Sequence, residues 1–201
     1  MKRMRSLSTA LLATTAAATA LAADFTGPAD PALFTVESVG TLSGASPSIG
    51  FATFGSNQLV LVGGNTANPA GGTPGCDGGV WQVLASPCQL QVTLNTPGTY
   101  TFDWSYVTAD PDGAGGDLFG VIVDGNRIAL SDIGGAIAQT GSASFVASSS
   151  FGWLMNCTDC TGGFATATIS GFELAPIPEP GSLALLLAGL VTVGALKQRR
   201  R

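Results

Sequence analysis

The sequence predicts an all-β protein: a single antiparallel β-sandwich, jelly-roll-like, between a cleavable N-terminal leader and a C-terminal membrane-spanning helix. Three observations carry this. Residues 23–175 alternate short β-type runs with Gly/Pro/Asn/Asp clusters and hold no long helical stretch. The run LQVTLNTPGTYTFDWSYVT keeps a period of two through two strands and a turn. Both ends of the chain are uncharged apolar segments bordered by basic residues.

The leader comes first. Lys2, Arg3 and Arg5 precede an uncharged run from Ser6 to Ala22, and Ala20-Leu21-Ala22 places small residues where a signal peptidase reads them. Basic head, apolar middle and A-x-A exit define a secretory signal over residues 1–22, with cleavage between Ala22 and Ala23.

Stripping the ends changes the electrostatics. Arg127 is the one cation between residues 23 and 175, against twelve Asp and Glu, so this domain carries a net charge of −11. Such a surface repels phosphate backbones, which excludes nucleic acid as a partner. Divalent cations and neutral polysaccharides remain compatible with it.

Within the domain, strands are expected at Gln58–Val62, Val80–Ala85, Ser142–Ala147, Ser150–Met155 and Ala165–Leu174, and Gly63–Gly79 reads as a Gly/Pro/Asn loop. Leu90, Val92 and Leu94 alternate with polar residues, Pro97-Gly98 turns the chain, and Tyr100, Phe102, Trp104 and Tyr106 then share one face. That aromatic face either fills the space between two sheets or stacks sugar rings; the first is the expectation, because sandwiches need such a face. Phe119–Val123 and Arg127–Leu130 flank Asp124-Gly125-Asn126, a hairpin signal in which Asp124 is a turn residue.

Four cysteines form two close pairs, Cys76 with Cys88 and Cys157 with Cys160. An even count in an exported chain implies disulfides. Three pairings are open; neighbour pairing is favoured because each pair brackets a loop. Cys157-Thr158-Asp159-Cys160 has redox spacing, but Thr161-Gly162-Gly163 leads into a strand and not a helix, so a structural bridge is expected. Asn156-Cys157-Thr158 matches a glycosylation sequon.

Asp110, Asp112 and Asp117 crowd a Gly-rich loop. Hard oxygen donors on such a loop suit Ca²⁺, although the spacing is not that of an EF-hand; a solvated acidic turn is the competing reading. The chain contains no histidine, which removes Ser-His-Asp and Cys-His machinery. Asp103, Asp110, Asp112 and Asp117 could supply a carboxylate pair for glycan cleavage, but no second feature marks such a site, and the expectation is a non-catalytic protein.

Ser182–Leu196 is uncharged and rich in Leu, Ala and Val; counted from Gly181 it spans about 24 Å as a helix, slightly short of an ordinary bilayer core. Lys197, Arg199, Arg200 and Arg201 follow and would stay on the cytoplasmic side of the inner membrane as a stop-transfer signal. Pro178-Glu179-Pro180 stands just before the helix. This three-part order over residues 176–201 resembles the PEP-CTERM sorting signal of proteins exported by Gram-negative bacteria. The resemblance implies recognition of Pro178, Glu179 and Pro180 by a membrane-embedded exosortase, a transient anchor at 181–196, a basic tip at 197–201 and release outward. TYTFDWSYVTADPDGAGGDLFGVIVDGNRIALSD and GSASFVASSSFGWLMNCTDCTGGFATATISGF also resemble the domain that many such proteins carry. That likeness implies a β-sandwich of unassigned ligand and a surface or matrix role in exopolysaccharide-producing, biofilm-forming bacteria. A carbohydrate-binding module, using an exposed Trp among Trp81, Trp104 and Trp153, is the first alternative; a glycan-cleaving enzyme is the second.

Overall fold

The computed structural model describes residues 22–39, 48–65, 88–157, 160 and 162–177. The leader as far as residue 21, the expected strand at 80–85, Trp81, Cys76, Pro178-Glu179-Pro180, the expected helix at 181–196 and the basic tip all lie outside these residues. No helix among the described residues is long and apolar enough to cross a membrane.

The described residues form strands β1 (Ala22–Ala23), β2 (Thr35–Val39), β3 (Ser48–Phe54), β4 (Gln58–Asn65), β5 (Gln89–Leu94), β6 (Gly98–Thr108), β7 (Asp117–Val123), β8 (Asn126–Ala129), β9 (Ala138–Ala147), β10 (Phe151–Cys157) and β11 (Ala165–Ala175). Three short 3₁₀ turns, at Gly27–Ala29, Pro31–Leu33 and Gly113–Gly115, are the only helical segments described. One sheet has the order β3-β4-β11-β6-β9, and the second β2-β5-β10-β7-β8. Every pairing is antiparallel. From β4 onward the chain changes sheet at each connection except the β7–β8 hairpin. The short β1 lies end to end with β4 along one side of β11, opposite Glu173 and Leu174.

Alternation dictates which side chains meet between the sheets. Tyr100, Phe102 and Tyr106 of β6 are buried, as are Phe151, Trp153 and Met155 of β10, and all belong to one core. Tyr100 stacks on Phe151 at 4.2 Å across the two sheets, and Trp153 meets Phe172 edge-on at 5.3 Å. The segment before β2 closes one end: Phe25 stacks on Phe172 (5.1 Å, 5° between planes) and Phe34 lies against Trp153. The aromatic face of β6 therefore fills the interior. Trp153 is fully buried, and Trp104 is half-buried against Phe119. Trp104 lies so close to Gly141 of β9 that a Cβ there would come within 2.8 Å of the indole.

Several boundaries differ from the sequence expectation for identifiable reasons. β4 runs on through Gly63 and Gly64, where a loop was expected, because Gly63 passes under Met155 with no room for a Cβ (2.9 Å). β9 begins at Ala138, since Gly141 is needed beneath Trp104 and serves the strand instead of breaking it. β1, β2 and β3 were not anticipated: β1 is too short to show a period, and the other two are edge strands with mixed faces. The hairpin at Asp124-Gly125 is present, with φ of 50° and 82°.

Candidate functional site

β11 begins as a strict alternation: Ala165, Ala167 and Ile169 face the core, and Thr166, Thr168 and Ser170 face outward. Continued unbroken, that pattern would bury Gly171 and Glu173 and expose Phe172. The register against β6 instead slips between Ser170 and Glu173: Ser170 opposes Asp103, yet Glu173 opposes Thr101. Gly171 sits in the slip with φ of 56°, the left-handed conformation of a glycine β-bulge. One extra residue thus returns Phe172 to the core and turns Glu173 outward. By sequence alone this strand alternates to its end; the spacing of three from Ile169 to Phe172 is the local sign of the slip.

The outward result is an open groove of about 460 Å³ on the outer face of the first sheet. Thr101 and Asp103 of β6, Ser142 and Ser144 of β9, and Gly171 and Glu173 of β11 line it. Ser142 Oγ donates to Asp103 Oδ1 (2.5 Å). A side chain at Gly171 would crowd this floor, its Cβ 3.3 Å from Asp103 Oδ2. Two carboxylates and three hydroxyls make a surface that accepts and donates hydrogen bonds. With no basic or aromatic side chain facing outward among the lining residues, it suits neutral polyhydroxylated ligands better than anions. Both acids are exposed, whereas a glycosidase acid depends on apolar burial to hold its proton. Of these groups only Asp103 was among the candidates read from the sequence.

The three loop carboxylates are distributed differently. Asp110 and Asp117 are buried, while Asp112 is exposed and its N–H donates to Asp110 Oδ1 (2.7 Å). Thr108 joins the buried two, donating from Oγ1 to Asp117 Oδ2 (3.1 Å) and accepting from the Asp110 N–H (3.0 Å). Tyr106 donates its hydroxyl to the Asp117 carbonyl. Burial, with the nearby Asp117 charge, pushes that phenol far above its ordinary range. No group of three or more acidic, Cys or His side chains placed to hold a metal ion occurs among the described residues. The Asp110/Asp112/Asp117 set is thus divided between the interior and the surface.

Asp124 fulfils its expected place in the hairpin and does more. Its carboxylate accepts from the N–H of Ser148, Ser149 and Ser150 and from the hydroxyls of Ser148 and Ser149, at 2.7–3.1 Å. Those bonds, the Ser148 N–H foremost, hold the carboxyl well below the usual carboxylate range. Cys157 and Cys160 form a disulfide; Cys88 is disulfide-bonded too, and Cys76 lies outside the described residues. Asn156 is 1% exposed, so the sequon offers no acceptor on the folded surface.

Comparison with known proteins adds one positive finding. Residues 176–201 match the model of the PEP-CTERM protein-sorting motif. No curated protein matches the chain. Among solved structures, the N-terminal cellulose-binding domain of Cellulomonas fimi β-1,4-glucanase C is similar at 13% identity, over 64% of this chain and 84% of that one, with a TM-score of 0.29. The family 29 carbohydrate-binding module CBM29_1 of Piromyces equi is similar at 11% identity, over 72% and 91%, with a TM-score of 0.29. An arabinose-bound α-L-arabinofuranosidase is similar at 13% identity over 69% of this chain and 26% of that one, with a TM-score of 0.27. Likenesses this distant say nothing about ligand or activity.

Proposed function

We propose that this chain is an exported, non-catalytic surface or matrix protein, a jelly-roll-like β-sandwich over residues 23–175 that an exosortase recognises at Pro178-Glu179-Pro180 and releases from its C-terminal anchor. The observation that carries the reading is the PEP-CTERM sorting motif at residues 176–201, which begins where β11 ends at Ala175. The join has a physical logic. Pro176 has no N–H for a ladder, so the strand stops there. Pro176, Pro178 and Pro180 at every second position favour an extended segment that a protease can enter. A cut near 178–180 would leave β11, a central strand, whole. At the other end, the bond between Ala22 and Ala23 lies within β1, so leader removal would take Ala22 and leave Ala23 as the first residue beside Glu173.

The test is to express the full chain in cells with and without the exosortase and to measure the intact mass of material outside the cell. The expected product starts at Ala23 and ends near Pro178–Pro180, and it is missing in cells without the enzyme. Extracellular protein that still ends in Arg201, or a cytosolic pool, would overturn the reading.

A second reading, contact with an extracellular polysaccharide, is favoured by the groove of Asp103, Glu173, Thr101, Ser142 and Ser144. The Trp-based version loses its support among the described residues, because Trp153 is in the core and Trp104 lines it. Saturable binding to a glycan panel that is lost in Asp103→Ala/Glu173→Ala would establish it; binding unchanged by that pair would dismiss this groove.

A further inference from the structure

We propose that the open edge of β9 is a self-association surface, on which β9 of a second copy pairs antiparallel about a two-fold axis at Ser142. This goes beyond the sorting reading and does not depend on it.

Among the described residues each sheet has two edge strands, and three of the four edges are blunted. β2 has five residues with Glu37 at its centre. β8 has four, including Arg127. β3 carries Gly50 at a φ of 108°, where a Cβ would fall 2.3 Å from the Val62 carbonyl, and it lies near the β2 edge of the other sheet. Charges, short length and local kinks are the devices that keep edges from pairing with another chain. β9 has none of them. Its ten residues AQTGSASFVA carry no charge, no proline and no residue of positive φ, and β6 is its one partner among the described strands.

The ladder shows which groups face outward. Thr108 N donates to Ile137 O (2.9 Å), just ahead of the register that pairs Val107 with Ala138. Alternation then directs the N–H and C=O of residues 139, 141, 143, 145 and 147 toward β6. Those of Ala138, Thr140, Ser142, Ser144 and Val146 point to the open edge. An axis at Ser142 sets Ser142 opposite Ser142, Thr140 opposite Ser144 and Ala138 opposite Val146, each a hydrogen-bonded pair. That makes on the order of ten backbone bonds. On the inner face it sets the half-buried Phe145 opposite Gln139 and Ala143 opposite Gly141, covering apolar atoms that the edge leaves partly open.

Charge selects this edge for a second copy. A domain of net charge −11 resists self-association over most of its surface. The nearest acid to the axis is Asp103, one strand inward. Two copies would hold their Asp103 residues three strand spacings apart, roughly 14 Å, beyond the Debye length of about 8 Å at physiological salt. Small hydroxyl and apolar side chains on β9 match their own reversed order without a clash or an unpaired charge.

The experiment introduces Ser142→Cys into the full chain, oxidises exporting cells mildly and separates the protein under non-reducing conditions. The described native cysteines are all bonded, so the new thiol reports the axis. A covalent dimer is expected from Ser142→Cys, and none from Ser105→Cys, which faces the same side one strand inward. Adding Ser144→Pro or, separately, Thr140→Pro removes an edge N–H at a position where an edge strand tolerates proline, and either should reduce the dimer to background while the monomer stays protease-resistant. No cross-link from Ser142→Cys, equal cross-linking from Ser105→Cys, or a dimer that survives both prolines would overturn the proposal.

Discussion

Replacing Gly171 with alanine separates a left-handed bulge from an ordinary strand by the sign of its effect. In a regular strand, alanine is better than glycine by about 0.5–1 kcal/mol, because the unfolded glycine is freer. Gly171 has φ of 56°, where an L-residue costs roughly 1–2 kcal/mol. The added Cβ would lie 3.3 Å from Asp103 Oδ2; that oxygen is the tip of an exposed side chain and can yield, so the steric part is small. Set against the gain of about 0.5–1 kcal/mol in the unfolded chain, the net expectation is destabilisation by about 1 kcal/mol, or roughly 2–4 °C in Tm for a domain of this size. Urea unfolding of the processed protein, followed through Trp153 in the core 5.3 Å from Phe172, measures it. Gly171→Asn should fall between, since asparagine tolerates this conformation better. An alanine variant as stable as the parent, or more so, would refute the bulge, and with it the account of how Glu173 reaches the groove.

Three further outcomes follow from the buried and capped groups. Asp124, with its carboxyl pKa lowered by the Ser148–Ser150 bonds, contributes stability above its unfolded value near 3.8; that contribution is lost as pH falls through the folded value. Asp124→Asn should therefore show its full Tm deficit near neutral pH, and the deficit should begin to shrink only below about pH 4, as read by thermal melts across pH. Tyr100 is pushed up to about 12 by burial, then by the Asp124 charge, so its contribution is complete below pH 10 and drains away between about 10 and 12. Tyr100→Phe removes the hydroxyl bond to the Thr96 carbonyl at a cost of about 1 kcal/mol near neutral pH and should flatten that alkaline loss in denaturant titrations. With Asp112 outside and no third acid beside Asp110 and Asp117 among the described residues, EDTA should leave Tm unchanged; a drop of several degrees reversed by Ca²⁺ would place a cation in this loop.

How far the sequence could be read depends on the range of each signal. The aromatic ladder of β6, the alternation of β5 and the Asp124-Gly125 turn are recognisable from neighbours one or two positions apart, and all three recur in the fold. The groove was not readable. Its lining joins β6, β9 and β11 through residues near 101–103, 142–144 and 171–173, far apart in the chain, and Glu173 enters it through a phase slip that a longer alternation conceals. The acidic loop shows the converse. Asp110, Asp112 and Asp117 are close in sequence, but the start of β7 turns Asp117 toward the core and leaves Asp112 in solvent.

By itself the sequence determined the chemistry of the ends, the excess of acid between them, the β class of the domain and the face on which its aromatics lie. Each of these depends on composition or on a period of two. The tertiary structure alone decided that Trp153 is core and not a sugar platform, that Asn156 is sealed from solvent, and that β9 has β6 as its one partner among the described strands. Such outcomes depend on which strands become neighbours. Strand pairing is a cooperative choice among distant segments, made to bury one shared core, and no local window of residues contains it.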